Sequence, residues 1–168
     1  MVMKVAQTQS KPRVYVETSL ISYLSARQPK EAIPAARQQA SVLLWQMQDA
    51  FEFFVSDTVI DEISAGDIFA AQLRLSFVAN MPRLLETDEA RALAVYLIES
   101  GTVPETSYLD ALHIALAAVH GMNYIVSWNF KHIVGAQARN RITDALRAKG
   151  YTLVTIHTPD ELTEGSMP

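Results

Sequence analysis

The chain has no cysteine, and this absence excludes several classes of site. Its 168 residues contain 0 cysteines, so disulfide bonds, thiolate zinc sites and a cysteine nucleophile are ruled out. A sequence without cysteine fits a reducing compartment. Long apolar runs are also lacking, since the most apolar helix candidate is interrupted by Asp110 and His113. We therefore expect a cytoplasmic protein with no membrane association.

Charge of one sign is not in large excess. The 14 Lys and Arg residues nearly balance 18 Asp and Glu residues, which gives a formal net charge of −4. This value indicates neither a disordered chain nor a uniformly basic nucleic-acid-binding protein. With 49% apolar residues, the chain is long enough to bury one complete hydrophobic core.

The charges are nevertheless distributed unevenly along the chain. Residues 49 to 110 contain twelve acids and three bases, whereas residues 129 to 150 contain five bases and one acid. The basic segment has two interpretations. It is either a solvated helix face or, beside a phosphate-handling site, a surface that binds RNA phosphates. In the second case Lys131, Arg139 and Arg141 are candidate RNA contacts.

Short apolar runs alternate with segments of helical periodicity. The runs have no regular polar face, which predicts a parallel sheet covered by helices on both sides. We expect a single domain over residues 13 to 157, with flexible ends at 1 to 12 and 158 to 168. The runs lie at residues 13–17, 51–55, 82–85, 124–127 and 151–156.

Hydroxyl side chains follow two of the predicted strands. Thr18 or Ser19 is expected to cap the helix that begins near Leu20, and a hydroxyl at this position can also contact a phosphate. We therefore treat both as tentative RNA-binding residues. After the second strand, the run Ser56-Asp57-Thr58 is expected to cap the next helix, and Thr58 and Asp61 have the spacing of a capping box.

Four polar residues are predicted to meet at one edge of the sheet. Glu17 ends the first strand, and Glu62 lies at the border of the buried face of the helix after the second. Asp110 lies in the first turn of the apolar helix, and Asn129 follows the fourth strand. Because carboxyl ends of parallel strands lie beside helix N-termini, we expect all four to converge.

Three carboxylates gathered in this way require a compensating cation. Oxygen ligands without cysteine favour Mg²⁺ or Mn²⁺, and phosphodiester hydrolysis is chemistry that such ions support. Taken singly, Glu17 could be an exposed strand-end acid, Glu62 a solvent-facing residue and Asp110 a capping partner of Ser107.

Two further side chains near these positions have alternative interpretations. His113 lies about 60° from Asp110 on the helix, and an interior histidine with satisfied hydrogen bonds is more common than a general base. Trp128 is expected to pack in the interior, with stacking on an unpaired base as the alternative.

Four segments of the chain carry a resemblance to a known family. They are residues 14–24 (VYVETSLISYL), 59–63 (VIDEI), 110–117 (DALHIALA) and 127–132 (SWNFKH). Together they resemble the PIN-domain family, and the nearest group is the VapC-like toxins of bacterial toxin–antitoxin pairs. The segments occur in the family's order, and the resemblance spans about residues 13 to 155.

The resemblance implies a three-layer α/β/α fold with about four or five strands, cleavage of RNA with a divalent metal, frequent dimerisation and inhibition by an antitoxin. Glu17, Glu62 and Asp110 match the three acids, which the family uses as metal ligands, and Asn129 matches a fourth, weaker position. The sequence departs from the family twice. Glu17 stands where Asp is usual, and Asn129 stands where an acid is often found.

Two alternatives remain open from the sequence. The chain is either an active endoribonuclease or a catalytically impaired module that binds RNA or a protein partner. The segments Ala32 to Asp49 and Asp67 to Asn80 also carry more apolar side chains than one sheet face covers. They predict a homodimer or a groove for an antitoxin helix.

Overall fold

The computed structural model describes residues 10 to 165, and a five-stranded parallel sheet forms its centre. The strands have the order β3-β2-β1-β4-β5, and every neighbouring pair is parallel. The predicted α/β fold is confirmed, with five strands. They are β1 (Arg13–Val16), β2 (Glu52–Ser56), β3 (Arg83–Leu84), β4 (Tyr124–Val126) and β5 (Thr155–His157).

Helices cover both faces of this sheet. The chain steps outward from β1 to β3 and then returns to β4, so right-handed crossovers place α1 to α4 on one face and α5 to α7 on the other. The packing agrees, because α5 contacts α6, α1 contacts α2, α3 and α4, and α8 contacts α2. The helices are α1 (Thr18–Ser25), α2 (Ala32–Trp45), α3 (Asp57–Ser64), α4 (Ile68–Val78), α5 (Asp88–Glu99), α6 (Tyr108–Val119), α7 (Ala136–Ala148) and α8 (Pro159–Glu164), with a 3₁₀ turn at Glu105–Ser107.

Burial on both faces explains the composition of the central elements. In β1, Val14, Tyr15 and Val16 are fully buried, as expected for a parallel strand between two helical layers. Helix α6 is buried from Ala111 to Ala118, as the physical rule for a helix that is apolar on almost all sides requires.

The strand order reverses at β1. The chain leaves β1 towards β2 on one side, whereas β4 pairs with β1 on the other side. In open α/β sheets, the crevice outside the carboxyl ends at such a reversal is the usual ligand site. Glu17 follows β1 and Ser127 follows β4, and the Glu17 amide donates to the Val126 carbonyl at 3.2 Å. The fold therefore brings these two strand ends together.

Part of the segment 158 to 168, which the sequence predicts to be a flexible end, is helical among the described residues. Thr158 begins α8 with a capping box in which Glu161 is the reciprocal partner. Leu162 and Thr163 are buried, and α8 packs against α2. The sequence of this segment is polar and shows little apolar periodicity. The packing of the helix therefore depends on tertiary contacts. Residues 166 to 168 lie outside the described residues.

The other predicted end, residues 1 to 12, lies mostly outside the described residues. Within the described part, the Lys11 ammonium donates to the Gln48 carbonyl at 3.1 Å. The Pro12 carbonyl accepts from the Glu52 amide at 2.9 Å, which extends the pairing of β1 with β2 by one residue.

The predicted cap of the first helix is wrong, because α1 is capped by Glu17, whose side chain accepts from the Ser19 amide, and not by Thr18 or Ser19. Helix α3 is capped by Ser56, one of its three predicted cap residues, whose hydroxyl accepts from the Val59 amide. The Thr58 and Asp61 capping box is not formed, since Thr58 lies inside α3. Among the described residues no helix is both long and apolar enough to cross a membrane.

Candidate active site at the carboxyl edge of the sheet

Glu17 occupies the centre of this edge and is held by serine side chains. Only 5% of Glu17 is exposed. Its Oε2 accepts from the Ser127 hydroxyl at 2.7 Å and from the Ser19 amide at 3.2 Å, and it also accepts a short hydrogen bond from the Ser19 hydroxyl. The same Ser19 hydroxyl accepts from the Trp128 amide at 2.8 Å. The ends of β1 and β4 are thereby joined through one carboxylate oxygen.

Glu62 reaches the same edge from α3. Its Oε2 accepts from the Thr18 hydroxyl at 2.5 Å and from Nε2 of His113 at 2.8 Å. Burial alone would raise the pKa of Glu62, but the hydrogen bonds from His113 and Thr18 and the charge of His113 hold this pKa below its ordinary value. The Glu62 side chain is therefore ionised and fixed in orientation near neutral pH.

A buried chain of hydrogen bonds supports Glu62 from behind. His113 is 0% exposed, and its Nδ1 lies 2.7 Å from the Tyr15 hydroxyl, which lies 2.7 Å from the Ser56 hydroxyl. Burial raises the pKa of Tyr15, so the phenol stays protonated. A hydroxyl can both donate and accept, so Tyr15 can satisfy Nδ1 of His113 in either protonation state.

His113 matches the interpretation of an interior histidine with satisfied hydrogen bonds. Burial alone would lower its pKa, yet the hydrogen bond to Glu62 and the negative charges of Glu17, Glu62 and Asp110 raise the pKa above its ordinary value. These effects favour the imidazolium form when no other cation is present. A protonated His113 is thus a buried counter-charge for the acidic edge.

Asp110 lies in the first turn of α6 and is bound to Asn129. The Asn129 Nδ2 donates to Asp110 Oδ1 at 3.0 Å, and Asn129 Oδ1 accepts from the His132 amide at 3.1 Å. Burial, followed by the charge of Glu17, raises the pKa of Asp110, against the lowering influence of His132, His113 and the Asn129 hydrogen bond. Asp110 and Glu17 are therefore close enough for their charges to repel.

The donor chemistry of this edge fits a hard cation, although no ligand set is preformed. Within residues 10 to 165, no three Asp, Glu or His side chains converge as a group that could hold a metal ion. The hydrogen bonds of each carboxylate use a single oxygen. Glu17 Oε1, Glu62 Oε1 and Asp110 Oδ2 accept none from the described residues. Oxygen ligands of this kind suit Mg²⁺ or Mn²⁺, and binding requires a side chain to rotate.

The five tentative RNA-binding residues differ in their surroundings. The hydroxyls of Thr18 and Ser19 are used to bind the carboxylates of Glu62 and Glu17. Arg139 donates to the Val134 carbonyl at 2.9 Å and pairs with Glu161 of α8. Lys131 and Arg141 are exposed, without an acidic partner in the part of the chain that the structure describes.

Several residues of this edge were not identified from the sequence. Ser127, Tyr15 and Ser56 make hydrogen bonds to partners 41 to 110 positions away in the chain, and such bonds leave no local pattern. One feature of the sequence could have identified Ser127 as a site residue, because it is a polar residue directly after a buried strand. Tyr15 had no such feature, since an aromatic residue inside a strand is ordinarily core.

Comparisons with known proteins give a likeness of fold. No protein-family model and no curated protein sequence matches the chain. Among solved structures, the chain is similar to one in the crystal structure of VapBC2 from Rickettsia felis bound to a DNA fragment from their promoter. The TM-score is 0.52 at 12% sequence identity, over 87% of this chain and 98% of that chain. The likeness supports the three-layer fold with a central parallel sheet.

Proposed function

We propose that this protein is a divalent-metal-dependent endoribonuclease, the toxin of a toxin–antitoxin pair in the cytoplasm. The observation that carries the proposal is that Glu17, Glu62 and Asp110 lie on three different elements at the same edge of the sheet, beside the strand ends where the strand order reverses. The fold adds support, because it is similar to that of a chain in a VapBC2 complex. Carboxylates at this position match the chemistry of metal-assisted phosphodiester hydrolysis.

The cofactor in this proposal is a single Mg²⁺ or Mn²⁺ ion. Glu17 and Asp110 would bind the ion and Glu62 would complete or orient the ligand set, each through the oxygen that accepts no hydrogen bond. When bound, such an ion activates water and neutralises charge on the phosphate. The neutral amide of Asn129 lowers the negative charge of the site, which argues against a second tightly bound ion.

The chain's own residues would orient the groups that take part. Ser19 and Ser127 hold the Glu17 side chain, which is longer than the Asp that is usual at this position. Both bind Oε2, the oxygen that also caps α1. Thr18 and His113 fix Glu62. Asn129 holds Asp110 with one amide hydrogen, and its second amide hydrogen can donate to a phosphate oxygen.

Cleavage of single-stranded RNA by the purified protein tests this proposal. We expect cleavage in Mn²⁺ or Mg²⁺ and none in EDTA. Asp110→Asn should abolish cleavage, because it removes a ligand charge while keeping the hydrogen bond from Asn129. Asp61→Asn is the matched control, since Asp61 is the exposed neighbour of Glu62 and should leave cleavage unchanged.

The alternative is a catalytically impaired module that binds RNA or a protein. The absence of a preformed ligand set among the described residues favours it. RNA binding without cleavage in any divalent ion would select this alternative, whereas cleavage that is lost in Asp110→Asn rules it out.

A protein partner is the second part of the proposal. Helices α2 and α4 expose apolar side chains, and Phe69 is 77% exposed. On these two helices Leu44 is buried, whereas Leu43 is 43% and Leu73 48% exposed. We propose that this surface contacts an antitoxin helix or a second copy of the chain. A small DNA-binding protein encoded next to this one is the expected antitoxin.

A further inference from the structure

The loop after β4 presents an aromatic side chain to solvent directly beside the acidic edge. Phe130 follows Asn129, which is bound to Asp110, and Phe130 is 45% exposed. Its predecessor Trp128 is only 8% exposed and donates from Nε1 to the buried Ser41 hydroxyl at 2.8 Å. Trp128 is therefore a packing residue, and the position available for stacking belongs to Phe130.

The backbone of this loop is fixed, although the Phe130 ring is exposed. The Asn129 carbonyl accepts from the Ile133 amide at 3.0 Å and from the Val134 amide at 2.8 Å. At Gly135 a side chain would place its Cβ 2.2 Å from the Phe130 carbonyl oxygen, so only glycine permits this close approach. An exposed ring on an ordered backbone loses little conformational entropy when it binds a ligand.

A cation lies against this ring without a carboxylate partner. The Arg37 guanidinium is 4.7 Å from the Phe130 ring centroid and 5.6 Å from that of Trp128. The guanidinium donates to the Tyr23 hydroxyl at 3.3 Å, and it forms no salt bridge with an acid of residues 10 to 165. Lys131, the next residue after Phe130, is exposed and likewise has no acidic partner within that range.

A nucleic-acid strand that approaches the carboxylates meets repulsion, because its phosphates and the site are both negative. Cations beside the site without an acidic partner among the described residues, such as Arg37 and Lys131, offset this repulsion. An aromatic face next to them can stack on any unpaired base, whereas bases inside an A-form duplex present no free face to a side chain.

We propose that Phe130 and Arg37 form a subsite for an unpaired nucleobase of single-stranded RNA, next to the phosphate positioned at Asp110 and Asn129. Phe130 stacks on the base, and Arg37 and Lys131 neutralise the adjoining phosphates. The inference rests on the proposed function, since it names residues of the same site that would bind the substrate.

Binding, and not cleavage, tests the subsite. Anisotropy of a labelled single-stranded oligoribonucleotide is measured in EDTA and again in Mn²⁺ in an Asp110→Asn background. We expect Phe130→Ala to weaken binding roughly tenfold, as for loss of one stacked base. Phe130→Trp should retain binding. The control Leu85→Ala, which removes a 65% exposed apolar side chain after β3, should leave RNA affinity unchanged.

A second oligonucleotide distinguishes stacking from general damage. An abasic strand of the same length should bind wild type and Phe130→Ala equally, and only the intact strand should quench the added fluorescence of Phe130→Trp. The proposal is overturned if Phe130→Ala binds the intact strand as tightly as wild type, if both strands lose affinity equally, or if wild type binds no RNA. Base-dependent binding without metal-dependent cleavage would support the proposed subsite and contradict the proposed nuclease activity.

Discussion

Tyr15 is the single residue whose contribution to the acidic edge is easiest to isolate. Tyr15→Phe removes only the hydroxyl between His113 and Ser56, so two buried groups each lose a partner. We expect the free energy of unfolding to fall by about 1–3 kcal/mol, measured by urea denaturation. Tyr108→Phe, at an exposed position, is the control and should change stability by less than about 0.5 kcal/mol. Equal stabilities for the two variants would contradict the role given to the buried network.

The raised pKa of His113 makes the stability of the metal-free protein depend on pH. A group whose pKa is higher in the folded state stabilises the fold below its unfolded pKa, and this contribution is lost as pH rises through the folded value. In EDTA the urea midpoint should therefore decrease as pH rises above the ordinary histidine value of 6.5. Glu62→Gln removes the carboxylate that contributes most to raising the pKa of His113. The urea midpoint of this variant should therefore decrease less over the same pH range. An identical pH profile in both proteins would refute this explanation.

The sequence indicated where the acids lie but not how they are held. Glu17 and Asn129 follow buried strands and Asp110 begins an apolar helix, so the edge they share could be predicted from strand and helix ends alone. Ser127, Tyr15 and Ser56 could not, because their partners are distant in sequence. Arg139 and Arg141 are both predicted RNA contacts, but they lie about 200° apart on α7 by helical geometry, and Arg139 pairs with Glu161.

At the scale of elements, the C-terminal helix α8 is the largest departure from expectation. Leu162 is 5% exposed, and Leu162→Ala should lower the free energy of unfolding by about 2–4 kcal/mol because it leaves a cavity where α8 packs. Leu153→Ala is the control at a 56% exposed position. If the urea midpoints of both variants match wild type, α8 does not contribute to the stable fold.

The order and type of the other elements could be predicted because their apolar patterns are strong. Strand β1 and helix α6 are examples, since continuous apolar runs require burial on all sides. Boundaries were less accurate. Helix α2 ends at Trp45 and not at Asp49, and β5 begins at Thr155 and not at Tyr151. These limits depend on hydrogen bonds to neighbouring strands, such as the Thr155 amide to the Asn123 carbonyl at 2.9 Å.

At the scale of the whole molecule, the exposed apolar surface of α2 and α4 predicts association. Phe69→Asp places a charge at its most exposed ring and should abolish a homodimer, or binding of the antitoxin, through the cost of desolvating that charge. Leu85→Asp, at a 65% exposed position after β3, should have no effect. Light scattering that finds a monomeric wild type, together with equal partner binding by both variants, would contradict the prediction.

The central claim is that Glu17, Glu62 and Asp110 form one divalent-metal site. Calorimetric titration with Mn²⁺ measures this directly and does not depend on knowing the RNA substrate. We expect one binding site per chain in wild type, retained in Asp61→Asn and lost or greatly weakened in Asp110→Asn. A wild type that binds no Mn²⁺, or an Asp110→Asn variant that binds it with unchanged affinity, would contradict the account.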